Sequence, residues 1–125
     1  MFFEKPDDVS IMSRYQPGDV ILVPIAIDAR TGVKVRPAVV IRISGDHDLE
    51  ICPVSSRPHS DTTSRPLSID NFEQGGLDLF CESYIMTSRV LTVQNADVIR
   101  KRGRLLPEYL RTITDEILER HHRGR

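Results

Sequence analysis

The stretch VRPAVVIRI at residues 35–43 decides the fold of this chain. Its β-branched residues suit a pleated, buried surface, and none of its apolar positions recurs at helical spacing. Pro37 has no backbone N–H and disfavours helical geometry at Arg36, so a strand is predicted to begin there. Arg36 would then lie at a sheet edge, where its guanidinium could either form a surface salt bridge or bind a phosphate.

Short apolar segments separated by Pro- and Gly-containing turns recur along most of the chain. They predict further strands at residues 19–25, 49–54, 67–69, 79–86 and 90–93. Only the C-terminal segment has helical character: Pro107 suits a first helical position, and apolar residues recur at spacings of four, three and four, at Leu106, Leu110, Ile113 and Ile117. We therefore expect a mainly β, α+β fold, a small barrel or sandwich of short antiparallel strands with a C-terminal α-helix.

The length of 125 residues fits a single domain. Residues 1–14 are mixed and aperiodic, so we expect them to form an N-terminal extension to a domain at residues 15–125. No apolar run approaches the length of a membrane span, and the N-terminus has no long apolar core. These features predict a cytoplasmic protein with no membrane partner.

The net charge of −1 does not by itself indicate a polyanion partner, so a nucleic-acid site would depend on local basic clusters. Two such clusters occur, at residues 57–65 and 100–104. The only cysteines, Cys52 and Cys81, lie in separate apolar runs and are predicted to be buried thiols in a reducing compartment. No set of His, Cys, Asp and Glu has metal-ligand spacing, so neither a metal nor another cofactor is expected.

Several motifs, taken in order, resemble the PemK/MazF family of toxin endoribonucleases: GDVILV at residues 18–23, RPAVV at 36–40, CPVSS at 52–56 and RKRGRL at 100–105. The resemblance covers about residues 15–118. It implies an SH3-like barrel with a C-terminal helix, the PemK/CcdB-like fold, that is active as a homodimer. It also implies a toxin of a type II toxin–antitoxin system that cleaves single-stranded RNA without a metal. A MazE-like antitoxin would cover the RNA groove.

The resemblance assigns catalytic roles to two residues. Arg36 stands in the place of the family's catalytic arginine, and Ser55 stands in that of a catalytic threonine or serine. Arg36 would stabilise charge on the phosphate, because an arginine side chain keeps its proton in proteins, and Ser55 would donate a hydrogen bond. RNA binding is predicted for a further set of residues, namely Ser56, Arg57, His59, Arg65, Tyr84 and Arg89.

Each predicted binding residue also has a plain structural interpretation. Ser56 could cap a turn, and His59 could be either a proton shuttle or a solvated loop residue. The three arginines could line an RNA path or be solvated charges. Tyr84 could stack on a base or be a half-buried strand tyrosine.

Two other functions stay open on the sequence alone. A CcdB-like toxin on the same barrel would bind DNA gyrase without cleaving RNA, although the combination of Arg36 with Ser55 favours cleavage. A degenerate member of the family would only bind RNA or an antitoxin. Some members have an acidic residue in the strand that matches residues 84–86, and this chain has none there.

Overall fold

The structure is a computed structural model that describes residues 14–27, 30, 32–56, 63–76 and 83–123, without the side chains of residues 121–123. Apart from Arg14, the predicted N-terminal extension lies outside the described residues. So do Arg57, His59 and Cys81.

Strands dominate the described part of the chain. Eight strands are present there: β1 (Asp19–Ile25), β2 (Lys34–Ser44), β3 (Asp48–Ser55), β4 (Arg65–Leu67), β5 (Phe72–Gly75), β6 (Ser83–Ile85), β7 (Leu91–Gln94) and β8 (Arg100–Leu105). One α-helix, α1 (Pro107–Arg123), follows them and begins at the predicted proline. The mainly β fold with a C-terminal helix is confirmed.

Two of these strands were not predicted. Asn71, Gly75 and Gly76 predict a turn over residues 71–76, but Phe72–Gly75 pairs with β8, and a 3₁₀ turn lies just before it, at Ile69–Asn71. Strand β8 is mostly charged, so its sequence has no apolar alternation that would indicate a strand. Its formation depends on pairing with β1 and β5, which only the folded chain supplies.

All strand pairs are antiparallel, and the sheet follows the order β4-β6-β3-β2-β1-β8-β5, with β7 paired to the first half of β3. The two strands at the ends of this order, β4 and β5, are consecutive in the chain and are joined by the 3₁₀ turn. This connection brings the two ends of the sheet together, so the sheet curls into a half-barrel. The predicted small barrel of short antiparallel strands is thereby confirmed.

Strand β2 is buried on both faces, which explains its continuous apolar sequence. On one face, Ala38 and Val40 pack with Ile21, Val23 and Ile51. We name this the Val40 face. On the opposite face, here named the helix face, the second core cluster contains Val20, Val39, Cys52, Val54 and Ile113 of α1.

Two local features follow the sequence prediction. Gly18 adopts a φ of +97° in the turn before β1, a conformation that glycine reaches without strain. Cys52 is fully buried, and this burial raises the pKa of its thiol to about 12. Cys52 is therefore a structural thiol, as predicted. No helix in the described residues is long and apolar enough to span a bilayer.

Candidate functional site

Arg36 and Ser55 lie on neighbouring strands, at the same level of the sheet. Strands β2 and β3 pair Ala38 with Pro53, and continuing this antiparallel register by two residues places Arg36 across from Ser55. Arg36 is also paired with Val23, a core residue of the Val40 face, on its other side. Directly paired residues share a face, so Arg36 and Ser55 both belong to the Val40 face.

The guanidinium of Arg36 has an unsatisfied donor. Its Nε is buried and has no hydrogen-bond partner among the described residues. Leaving a buried donor unpaired costs about 1–3 kcal/mol, and more for a charged group. An arginine held in this way is suited to receive an anion, because a phosphate oxygen would supply the missing acceptor.

Tyr84 extends the site by one more strand. Strands β3 and β6 pair Ser55 with Tyr84, so these two side chains lie on the same face of the sheet. Arg36, Ser55 and Tyr84 are each half-buried. The structure thus brings together three of the predicted site residues, from three different strands. Ser56 follows them at the end of β3 and is exposed.

Arg65 lies on the opposite face from these three residues. It is paired with Ile85, a core residue of the helix face, and its Nε donates to Glu116 of α1 at 2.5 Å. The Glu116 carboxylate also accepts hydrogen bonds from Thr87 Oγ1 at 3.2 Å and from Arg120 Nη2 at 2.7 Å. Arg65 therefore fastens β4 to the helix rather than joining Arg36.

The charge state of Glu116 fits this role. Partial burial disfavours the charged carboxylate and tends to raise the pKa of Glu116. The hydrogen bond and positive charge of Arg65 oppose this effect, and Thr87 and Arg120 add to them. Together they hold the pKa of Glu116 below its usual value. The pair of Glu116 with Arg120 can be predicted from the sequence, because the two residues are four positions apart in the predicted helix. The contact with Arg65 spans 51 positions of the chain, and no local pattern signals it.

Two other groups of basic residues have structural contacts. The Nη1 of Arg89 donates to the backbone carbonyl of Ile27, which ties the segment after β6 to the end of β1. In the basic cluster at residues 100–104, Arg104 Nε and Lys101 Nζ lie 2.9 and 3.3 Å from the same carboxylate oxygen of Asp19. Asp19 is only 1% exposed, so this triad neutralises a buried charge between β1 and β8.

Comparison with known proteins assigns the chain to a family. The model of the PemK-like, MazF-like toxins of type II toxin–antitoxin systems matches residues 16–120. The chain belongs to this toxin family. The predicted relationship is thereby confirmed, and an antitoxin is the partner that a type II toxin implies.

Solved toxin structures share the fold of this MazF-like toxin. The Mycobacterium tuberculosis toxin MazF-mt6 superposes with a TM-score of 0.58 at 16% sequence identity, over 79% of this chain and 90% of that one. A crystal structure of an Mtb toxin superposes with a TM-score of 0.50 at 18% identity, over 78% of this chain and 97% of that one. No curated protein sequence is similar enough to match the toxin.

The described part of the toxin contains no group of three or more His, Cys, Asp or Glu side chains that could hold a metal ion. Nor does the sequence have an acidic residue at positions 84–86. On the Val40 face, Ser55 and Tyr84 supply hydroxyl-bearing side chains on the two strands that follow β2 in the sheet order, and Lys34 lies two positions before Arg36 on β2 itself.

Proposed function

We propose that this toxin is a metal-independent endoribonuclease that cleaves single-stranded RNA. The observation that supports it best is the buried Nε of Arg36, which has no hydrogen-bond partner within the described ranges and lies on the face of the sheet that also carries Ser55. A phosphate bound there would satisfy the guanidinium and come within reach of a second hydrogen-bond donor. The family relationship supports a toxin, and the site supports phosphate as the group that it binds.

The chemistry needs few protein groups, because RNA carries its own nucleophile. The 2′-oxygen attacks the adjacent phosphorus and loses its proton, a bond from the 2′-oxygen to phosphorus forms, and the bond from phosphorus to the 5′-oxygen breaks. The leaving 5′-oxygen takes up a proton. The products are a 2′,3′-cyclic phosphate and a 5′-hydroxyl.

Arg36 and Ser55 would divide the work in this reaction. Negative charge increases on the phosphate oxygens in the transition state, and the guanidinium of Arg36 would balance it in a site that is partly shielded from water. Ser55 would donate a hydrogen bond to the phosphate or to the leaving oxygen. Since arginine keeps its proton in proteins, its role here is electrostatic.

A pair of substitutions at Ser55 tests this proposal. Ser55→Ala removes the hydroxyl and should slow cleavage of a long single-stranded RNA by about 10²-fold, the usual effect of losing one donor to a transition state. Ser55→Thr keeps the hydroxyl and should cleave at a rate close to that of the parent. Product formation is measured on a sequencing gel. Equal cleavage by the alanine variant and the parent would remove Ser55 from the site.

The proposal includes a homodimer, which the family resemblance implies. Strand β2, the segment before β7 and helix α1 enclose a hollow of about 300 Å³, with an apolar lining of Ile41, Val90, Ile117 and Leu118. Leu118 is 63% exposed and Val90 is 43% exposed. Arg42 and Glu50 also line this hollow and form an ion pair, with 2.8 Å between Arg42 Nη2 and Glu50 Oε2. Apolar residues flanked by both signs of charge suit a self-complementary two-fold contact with a second copy.

Leu118→Glu should convert this dimer into a monomer, because it places a charge without a partner inside an apolar contact. Light scattering at micromolar concentration should give the dimer mass for the parent and the monomer mass for the variant. Ile99→Glu is the matched control, since Ile99 is 54% exposed and does not line the hollow. A parent protein of monomer mass would contradict the dimer.

A further inference from the structure

The line of side chains that begins at Arg36 continues beyond Tyr84. Strands β4 and β6 pair Pro66 with Tyr84, just as β3 and β6 pair Ser55 with Tyr84. Arg36, Ser55, Tyr84 and Pro66 therefore follow one another on the Val40 face, one from each of four adjacent strands. At about 4.8 Å per strand, the line is about 14 Å long, which is the length of a few nucleotides rather than of a single phosphate.

At the far end of this line, the Val40 face is partly exposed and the helix face is packed. Pro66 is exposed and Tyr84 is half-buried. The apolar neighbours that point to the helix face are buried: Val54 and Leu67 are each 3% exposed, and Ile85 is fully covered. At this end, the Val40 face therefore carries a half-buried tyrosine next to an exposed proline, above a packed core.

Helix α1 holds this end of the sheet from behind. Strand β4 has only three residues and is an edge strand of the sheet order, so it needs support from elsewhere. The Tyr109 hydroxyl donates to the carbonyl of Pro66, and Glu116 accepts from Arg65. Burial raises the pKa of Tyr109, against the opposing charge of Arg65, so Tyr109 keeps the proton that it donates. Both contacts use the helix face and leave the Pro66 ring uncovered.

We propose that Tyr84 and Pro66 form a stacking platform for the unpaired base next to the cleaved phosphate. The inference rests on the proposed ribonuclease function and adds to it where a neighbouring base lies. With the phosphate at Arg36 and Ser55, the next side chain along the sheet is the Tyr84 ring, and the Pro66 ring extends its surface. Single-stranded RNA offers unstacked bases for such contacts, and base–aromatic stacking contributes about 1–3 kcal/mol per base.

An abasic nucleotide tests this platform directly. The cleaved bond is first mapped with the parent protein on a long single-stranded RNA. Oligonucleotides of that sequence then carry a 2′-deoxy group at the cleaved step to prevent cutting, and an abasic position on one side of the step or the other. The parent should lose about tenfold in affinity for one of the two abasic RNAs.

The variants show whether Tyr84 is the partner of that base. Tyr84→Leu should bind the intact RNA about tenfold more weakly than the parent and lose little more with the abasic RNA, because the contact is already gone. Tyr84→Phe keeps the ring and should behave as the parent does. Pro66→Ala should show a smaller loss of the same kind. The platform is overturned if Tyr84→Leu binds the intact RNA as tightly as the parent does. It is also overturned if the abasic position lowers the affinity of both proteins equally.

Failure of the proposed ribonuclease function gives a different result from failure of the platform. If the parent binds RNA but cuts none, the ribonuclease fails. The same comparison is then made with a uridine 12-mer, where a loss of affinity in Tyr84→Leu but not in Tyr84→Phe still supports the platform. A parent that binds no single-stranded RNA overturns both.

Discussion

Arg36→Gln is expected to lower the rate of RNA cleavage by about 10³-fold or more, the scale of losing an arginine that neutralises charge in a phosphoryl-transfer transition state. The free energy of unfolding should not fall. The Arg36 Nε has no partner in the described part of the chain, so the substitution breaks no hydrogen bond of that nitrogen. Cleavage is measured with single-stranded RNA, and unfolding with urea. Lost activity in a protein of unchanged stability is the result expected for a residue that acts on substrate.

Arg100→Gln is the matched control for this experiment. Arg100 is exposed and is paired with Leu22, whose other partner is Pro37, so it lies on the opposite face of the sheet from Arg36. Both variants lose one positive charge. If removal of charge alone weakened RNA binding, the two would lose activity equally, whereas the site proposed here predicts a large loss only for Arg36→Gln. Parental cleavage by Arg36→Gln would show that Arg36 is not part of the site.

Much of the fold is local and could therefore be predicted. The β-branched run at 35–43 is apolar on both faces of a strand, and the structure places β2 between both clusters of the core. The helix period after Pro107 was equally clear. Strand β8 was missed because its charges are balanced by Asp19, whose carboxylate lies 85 positions away from Arg104. A pattern within one segment cannot contain such a partner.

The sequence could predict which residues belong to the candidate site, but not that they share one face of the sheet. Arg36 and Ser55 were named from motifs, and Tyr84 was named for its ring. Their common face follows from the register of two strand pairs, β2 with β3 and β3 with β6, and the sequence alone does not determine this register. Arg65 shows the same limit in the other direction: its neighbour Pro66 lies on the Val40 face, whereas Arg65 points to the helix face and binds Glu116. Successive side chains of a strand point to opposite faces, so the register of this three-residue strand decides which of these two neighbours lies on which face.

A single 2′-deoxy substitution at the cleaved step should block cleavage completely while the RNA still binds. The attacking group in the proposed mechanism is the 2′-hydroxyl at that step, so the substituted RNA lacks the nucleophile there. The same substitution one nucleotide away is the control, and that RNA should be cut at the parental rate. Gel analysis measures cutting, and fluorescence polarisation measures binding.

The products and the metal requirement of this reaction complete the test. The 5′ fragment should end in a 2′,3′-cyclic phosphate and the 3′ fragment should begin with a 5′-hydroxyl, and cleavage should continue in excess EDTA. A gyrase-binding toxin would give no RNA fragments under any condition, and a degenerate binder would bind both RNAs and cut neither. Cleavage of the substituted RNA at its deoxy step would contradict attack by the 2′-hydroxyl, because the bond would then have been broken by another nucleophile. Loss of all cleavage in EDTA would show that the reaction depends on a metal ion. The mechanism assigned to Arg36 and Ser55 uses none, so it would be wrong.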